Sequence, residues 1–405
     1  MWKTVRLGDL CEVITKGTTP TSIGFKFESE GINFVKVESL AADSTFITSK
    51  FAKINSECHE SLKRSQLKDG DILFSIAGAL GRTAIVTGDI LPANTNQALA
   101  IVRLKPNVEV EKRFLLYVLN SESTTEQSDS NKGGVAQQNL SLTQLKNYKI
   151  SLPPLAEQQR IVAKLDAAFA EIDRATEIEG EKLLNAENLR AAYLDERLKK
   201  LLHEKPSFCL SDVCEKVSVG HVGTTSKYYC DEGIPFIRTQ NVSKTGFNDT
   251  ELRYITPEFH ESLKKSQLKA GDVLLSRVVI DEMRTAIVPR NYGEANCANV
   301  ILIRPKEKLL PQYLSLLIKS RESQEYFMDV KKGAAQQVVN TGILKKWNIP
   351  LPSVNEQTKF VEEITNRFEL VESLLISVTN KKHVLSKLKS AILSQELQPP
   401  QSEAA

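Results

Sequence analysis

Very little in this chain offers chemistry. There is no GxxxxGK[ST] phosphate loop, no GxGxxG strand-to-helix turn, no HExxH and no GxSxG elbow. No Asn/Asp-Pro-Pro-aromatic motif is present either, since the Pro-Pro pairs are LPPL and QPPQ. These absences predict a non-catalytic protein. No apolar run approaches the roughly 18 residues of a membrane-spanning helix, and MWKTVRLGDL lacks the apolar core of a signal peptide. A cytoplasmic protein with no membrane partner is expected. One-sided charge is missing too: 53 Lys and Arg face 50 Asp and Glu, a formal net charge of +3. That balance argues against a stand-alone polyanion binder but leaves room for local basic grooves.

Cysteine is sparse and unpaired. Cys11, Cys58, Cys209, Cys214, Cys230 and Cys297 include no CxxC pair, so neither a disulfide framework nor a zinc site is expected. Cys209, Cys214 and Cys230 with His203 or His221 could approach a ligand set, but paired spacing is absent. Cys11 in LGDLCEV matches Cys214 in LSDVCEK, and both read as small buried groups.

What the chain does contain is itself, twice. HESLKRSQLKDGD (His59–Asp71) recurs as HESLKKSQLKAGD (His260–Asp272), identical at 11 of 13 positions. GINFVKV returns as GIPFIRT, RTAIV (Arg82–Val86) as RTAIV (Arg284–Val288), KGGVAQQ as KGAAQQ and LPPLAEQ as LPSVNEQ, all in the same order. His59 and His260 occupy equivalent places and read as turn-packing residues. Asp71 and Asp272 follow a glycine ahead of a strand, a common turn role.

Each repeat has a mixed first part. Short β-branched runs (Ile32–Val37, Ile72–Ile76, Ala84–Val86, Leu99–Leu104) are separated by Gly, Asn, Asp and Pro. A helical stretch at Val110–Asn120, matched near Gln312–Ser320, interrupts them, which predicts an α+β domain. The second part reads as one long helix, Glu157 to about Leu202 and Asn355 to Leu397. Ile161, Leu165, Ile172 and Leu189 recur at helical steps, as do Ile364, Phe368, Val371, Leu375 and Leu385. Some 40 residues at 1.5 Å each span about 60 Å, more than a 150-residue domain is wide. Each apolar stripe therefore needs a partner, and the simplest is the other stripe in an antiparallel coiled coil.

The expected organisation is two similar mixed α/β domains, 1–152 and 204–351, and two long spacer helices, 153–203 and 352–398. A flexible tail, 399–405, and an internal pseudo-two-fold complete it.

Polar and basic loops lie at matching places in both repeats. Lys16, Thr18 and Thr19 (KGTTP) correspond to Gly223, Thr224 and Thr225 (HVGTTSK), and Lys36 to Arg238, with Thr239, Gln240 and Asn241 after it. Arg82 corresponds to Arg284; Asn94, Asn96 and Gln97 lie opposite Asn296 and Asn299; Gln137 and Gln138 lie opposite Gln336 and Gln337. Lys132 and Lys332 sit beside glycines, and Arg277 joins the second set. These side-chain types grip phosphates and read base edges, so they are the candidate DNA contacts.

LPPLAEQQRIVAKLD (Leu152–Asp166) resembles the opening of the helical region in DNA-specificity (S) subunits of type I restriction-modification systems. KGTTP, GINFVKVESL, LKDGDILFS and the GGVAQQ-to-LPPLAEQ spacing are similar to the target-recognition domains of that family. The resemblance implies two recognition domains set apart by antiparallel helices, double-stranded DNA as ligand, and two methyltransferase (modification) subunits as partners. Restriction subunits would join through the assembly. It also implies that S-adenosylmethionine, ATP and Mg²⁺ bind those partners, with no cofactor or metal on this chain. LPSVNEQ departs from the usual helix opening, and no short tandem repeat is visible in the central helix. The competing reading is a coiled-coil adaptor with paired protein-binding domains and no DNA role.

Overall fold

Alternation in CEVITK and the short apolar run ILFS predict a half-buried and a fully buried strand, and both form. The computed structural model describes residues 2–129, 139–203, 205–277, 282–332 and 339–399. It divides into two compact units, Met1–Glu179 with Asn380–Ala405, and Gly180–Thr379. Each long helix is thus shared between the units.

In the first unit, Cys11–Lys16, Leu99–Leu104, Ile72–Ser75 and Thr83–Ile85 form an antiparallel sheet in that order. Successive side chains alternate across it. Ile72 and Phe74 face a core with Leu115, Leu119, Leu145 and Ile150, contributed by helices Lys112–Leu119 and Leu142–Lys146 and by strand Lys149–Leu152. Leu73 faces the other way, toward Val35, Leu40 and Ala93. Val35 and Ala93 belong to a second sheet of Ala52–Ile54, Ile32–Val35 and Ala93–Thr95, whose last two strands run parallel.

The second unit repeats this plan. Cys214–Val219, Val300–Pro305, Val273–Ser276 and Thr285–Ile287 form its four-stranded sheet. A five-stranded sheet contains the parallel pair Ile234–Ile237 and Ala295–Cys297. The stretch expected near Gln312–Ser320 is the helix Pro311–Lys319. The α+β class follows from the mostly antiparallel sheets with single helices between them.

Asp71 does hold a turn, and it does more. Its carboxylate accepts Lys68 N at 2.8 Å and Arg103 Nε and Nη2 each at 2.7 Å, although Asp71 is 1% exposed. Asp272 repeats this with Lys269 N and Arg304. Each pair ties the turn ahead of one central strand to its neighbour.

The long helices run Leu155–Leu202 and Val354–Glu396, and Gly180 does not interrupt the first. In the first unit Ile161, Leu165 and Ile172 are buried in a cluster that also takes Leu385, Ile392, Leu397 and Trp2. Lys164 meets Glu396 at 2.7 Å, Asp173 meets Lys389 at 2.8 Å and Glu179 meets Lys381 at 3.5 Å. One number rises as the other falls, so the segments are antiparallel. In the second unit Arg197 meets Glu363 at 2.5 Å and Arg190 meets Glu372 at 3.8 Å, again antiparallel.

Ile364 is buried in this second seam, Phe368 packs against the same core, and Val371 and Leu375 are half-buried. Leu189 is a correction. It is 66% exposed and takes no part in the seam. The buried line steps four residues from Ala186 to Arg190, whose guanidinium covers the Phe368 ring at 4.1 Å. A long cation with an apolar stem fills the place that periodicity offered to leucine.

Candidate nucleic-acid interface

The KGTTP loop is pinned by its glycine. Gly17 N donates to Asn96 O at 3.0 Å, and a Cβ there would lie 1.8 Å from Thr95 O. Only glycine fits so close to another backbone. This contact brings Lys16, Thr18, Thr19, Asn96 and Gln97 onto one rim of the first unit. The Thr19 hydroxyl donates to Gln97 Oε1, and Arg64 Nη2 donates to Thr18 Oγ1 at 3.3 Å. Asn96 Oδ1 accepts Ala98 N at 3.1 Å, shaping the turn, while Lys16 and Gln97 are exposed. Arg64 was missed in the sequence because it lies in the repeated HESLKRSQ segment, where its neighbours read as a structural turn.

Lys36 and Arg82 are more constrained. Lys36 pairs with Glu38 at 2.8 Å and lies 5.6 Å from the Phe27 ring centroid. Its hydrogen bond holds the Glu38 carboxyl below the usual carboxylate range. Arg82 Nη1 donates to Leu40 O at 3.0 Å.

The second unit builds a related rim. Gly220 N donates to Val300 O at 2.9 Å, and a Cβ there would meet Cys297 O at 2.8 Å. Thr224 is exposed, and Thr225 Oγ1 lies 2.8 Å from Tyr229 Oη. Thr239 Oγ1 donates to Asn299 O at 3.0 Å, Gln240 Nε2 to Glu251 Oε2 at 2.8 Å and Arg238 Nη2 to Glu251 O at 2.8 Å. Asn299 is exposed in the left-handed region, with φ 56°. Arg277 and Arg284 are half-buried at the sheet end, where Arg277 O accepts Val339 N at 3.2 Å and Arg284 N donates to Ser276 Oγ at 3.0 Å.

Three candidate contacts are overturned by burial. Asn94 is 0% exposed: its Nδ2 donates to Leu62 O and Ser65 Oγ, both at 3.1 Å, and its Oδ1 faces His59 Nδ1 at 2.5 Å. Asn296, also 0% exposed, turns its Nδ2 to Leu263 O and His260 Nδ1, both at 3.4 Å, and its Oδ1 accepts Cys297 N at 2.9 Å. Asn241, 1% exposed, accepts Arg238 N and donates to Asn248 O. Tight turns leave backbone groups that need partners, and a buried asparagine supplies both kinds. Such side chains cannot reach a base edge. Lys132, Gln137, Gln138, Gln336 and Gln337 lie outside the described residues, and Lys332 ends the helix Arg321–Lys332.

Four groups of the repeat are engaged in the fold: His59 and His260 contact asparagines, and Asp71 and Asp272 hold arginines. Among the described residues no three His, Cys, Asp or Glu gather as a metal set. The rims instead offer cations, hydroxyls and amides, which suit phosphate oxygens and base edges.

A family model described as the type I restriction modification DNA specificity domain matches residues 1–184 and again 204–380. The chain belongs to that family. It is 24% identical over 329 residues to the type I restriction enzyme EcoBI specificity subunit of Escherichia coli, covering 75% of this chain and 68% of that one. It is 25% identical over 423 residues to the putative type I restriction enzyme MjaX specificity subunit of Methanocaldococcus jannaschii, covering 97% and 92%. A chain from a structure described as the basis of complex assembly and conformational transition of the type I R-M system shares the fold. Its TM-score is 0.73 at 20% identity, with 98% and 97% coverage.

Proposed function

We propose that this chain is the sequence-specific DNA-reading subunit of a type I restriction-modification assembly. The observation that carries the reading is duplication: the DNA specificity domain occurs twice, and each copy presents a polar rim beside its Gly17 or Gly220 contact. Each copy reads one half of a bipartite target, and the paired helices set the gap between the halves. With a net charge of +3, much of the phosphate affinity comes from the partner subunits.

Two methyltransferase subunits are the direct partners, and restriction subunits join through the assembly. S-adenosylmethionine, ATP and Mg²⁺ belong to those partners, and this chain is non-catalytic. Exposed leucines along the second long helix, Leu370 at 65% and Leu374 at 49%, give an apolar outer face for such docking. No helix among the described residues is long and apolar enough to cross a membrane. Work on genomic DNA places the protein in the cytoplasm.

The test is methylation mapping of genomic DNA from cells that express this chain with its modification partner. One interrupted motif with two different halves is the expected result. Methylation without a sequence motif, or at one contiguous site, would overturn the reading and revive the adaptor alternative.

A further inference from the structure

One side chain makes the joint between globular part and long helix, and both units make it alike. Gln158 is 0% exposed in the first turns of Leu155–Leu202. Its Oε1 accepts Glu111 N at 2.8 Å, while its Nε2 donates to Glu109 O at 3.0 Å and Pro153 O at 2.8 Å. Gln357, also 0% exposed, takes Leu310 N at 2.9 Å and gives to Lys308 O and Pro352 O, both at 2.8 Å.

Each amide therefore uses both donors and its oxygen on two separate backbone segments. One is the proline two residues ahead of the helix, Pro153 or Pro352. The other is the loop that leaves the four-stranded sheet, at Glu109–Glu111 or Lys308–Leu310. These bonds do not cap the helix; in the second unit Ser353 and Glu356 do that. A buried amide with every donor used is costly to disturb, which makes it a stiff bracket.

We infer that Gln158 and Gln357 are positioning residues that fix the angle of each reading domain on its spacer helix, and so restrict the gap the protein accepts. This rests on the two-reader function proposed above. The magnitudes are suitable: a 150-residue domain has a radius of gyration near 15 Å, and on a lever of about that length a tilt of roughly 13° moves the reading face about 3.4 Å, one base-pair step. Without the bracket, half-site reading persists while the gap loosens.

The experiment uses the full chain assembled with its modification subunits, on DNA carrying the cognate half-sites at the native gap and at gaps one and two base pairs shorter or longer. Gln158→Met and Gln357→Met keep side-chain length and remove the hydrogen bonds. The expected result is at least about a tenfold loss of preference for the native gap, with base selectivity inside each half-site unchanged. Retained gap preference in a folded variant overturns the inference, as does equal loss of gap and half-site selectivity. If Gln158→Met and the milder Gln158→Asn both fail to fold, positioning is not separable from folding and the inference is also overturned. A wild-type complex that ignores the gap instead sinks the two-reader function itself.

Discussion

Arg103 grips Asp71 through Nε and Nη2, each at 2.7 Å, under a surface that leaves the aspartate 1% exposed. Arg304 and Asp272 repeat the grip at 2.8 and 2.7 Å. The carboxylate raises the arginine's pKa further in both pairs. Removing one partner strands a buried charge. Arg103→Met should therefore cost about 3–5 kcal/mol of stability, read from urea unfolding. A loss below about 1 kcal/mol would mean that water reaches Asp71 and replaces the guanidinium.

Specificity should divide by unit. Gln97→Ala, on the rim with Lys16 and Thr19, should relax one half-site, and Gln240→Ala the other, by about 1–3 kcal/mol where the contact is bidentate. Methylation rates on sites with single-base changes measure this. Asn94→Ala should behave differently, losing stability with no change in base preference. Equal relaxation of both halves by Gln97→Ala would contradict the division.

The repeat, the long helices and the α+β class were legible because periodicity and self-similarity are long-range signals that survive single-residue noise. Burial of an individual polar residue is not such a signal. Asn94 and Asn296 look like surface readers by residue type, yet each lies in a short strand paired on both sides. The clue was present: Ala-Asn-Thr and Ala-Asn-Cys put the asparagine between small residues, 35 and 36 residues after a repeated histidine. Arg103 and Arg304 each follow their aspartate by 32 residues, a match that only the partner's burial makes meaningful. Gln158 and Gln357 stood inside the quoted motifs, but nothing in one dimension tells where an amide's donors go.

Acid should weaken the start of the second long helix. The Glu356 carboxyl is held down to about 2 by hydrogen bonds from Lys205 and Ser353. A lowered folded-state pKa gives stability that is complete above the ordinary carboxylate value and is lost as pH falls through the folded one. Glu356→Gln should therefore be less stable than wild type at pH 7, with the difference closing between about pH 4.5 and 2. A constant difference in unfolding midpoint across that range would rule out the ionised form as the cause.

Thiol reactivity should follow burial. Burial pushes the Cys11, Cys214 and Cys297 thiols up to about 12, and raises Cys58 as well. Only thiolate reacts readily. Native protein at pH 7.5 should label promptly at half-exposed Cys209 and Cys230, and at the other four only on unfolding. Peptide mapping after brief alkylation decides it; early labelling of Cys297 would show that the strand Ala295–Cys297 opens locally.

The helix seam carries its own preference for unlike halves. Lys164 meets Glu396 in the first unit and Arg197 meets Glu363 in the second. By the repeat, Glu363 stands where Lys164 does, and Arg197 where Glu396 does. A fragment of residues 1–203 keeps Ile161, Leu165 and Ile172 but loses Leu385 and Ile392 from that cluster. Two such fragments should pair antiparallel through the bared seam, as an isologous dimer. Asp173 would then face Arg190, which attracts, while Lys164 would face Arg197, which repels. Lys164→Glu reverses the unfavourable contact, twice per dimer. It should tighten association by about 1–2 kcal/mol at low ionic strength, and less at high salt. Sedimentation equilibrium of both fragments reads this directly. A folded monomer would contradict pairing through the seam, and a dimer indifferent to Lys164→Glu would contradict the register.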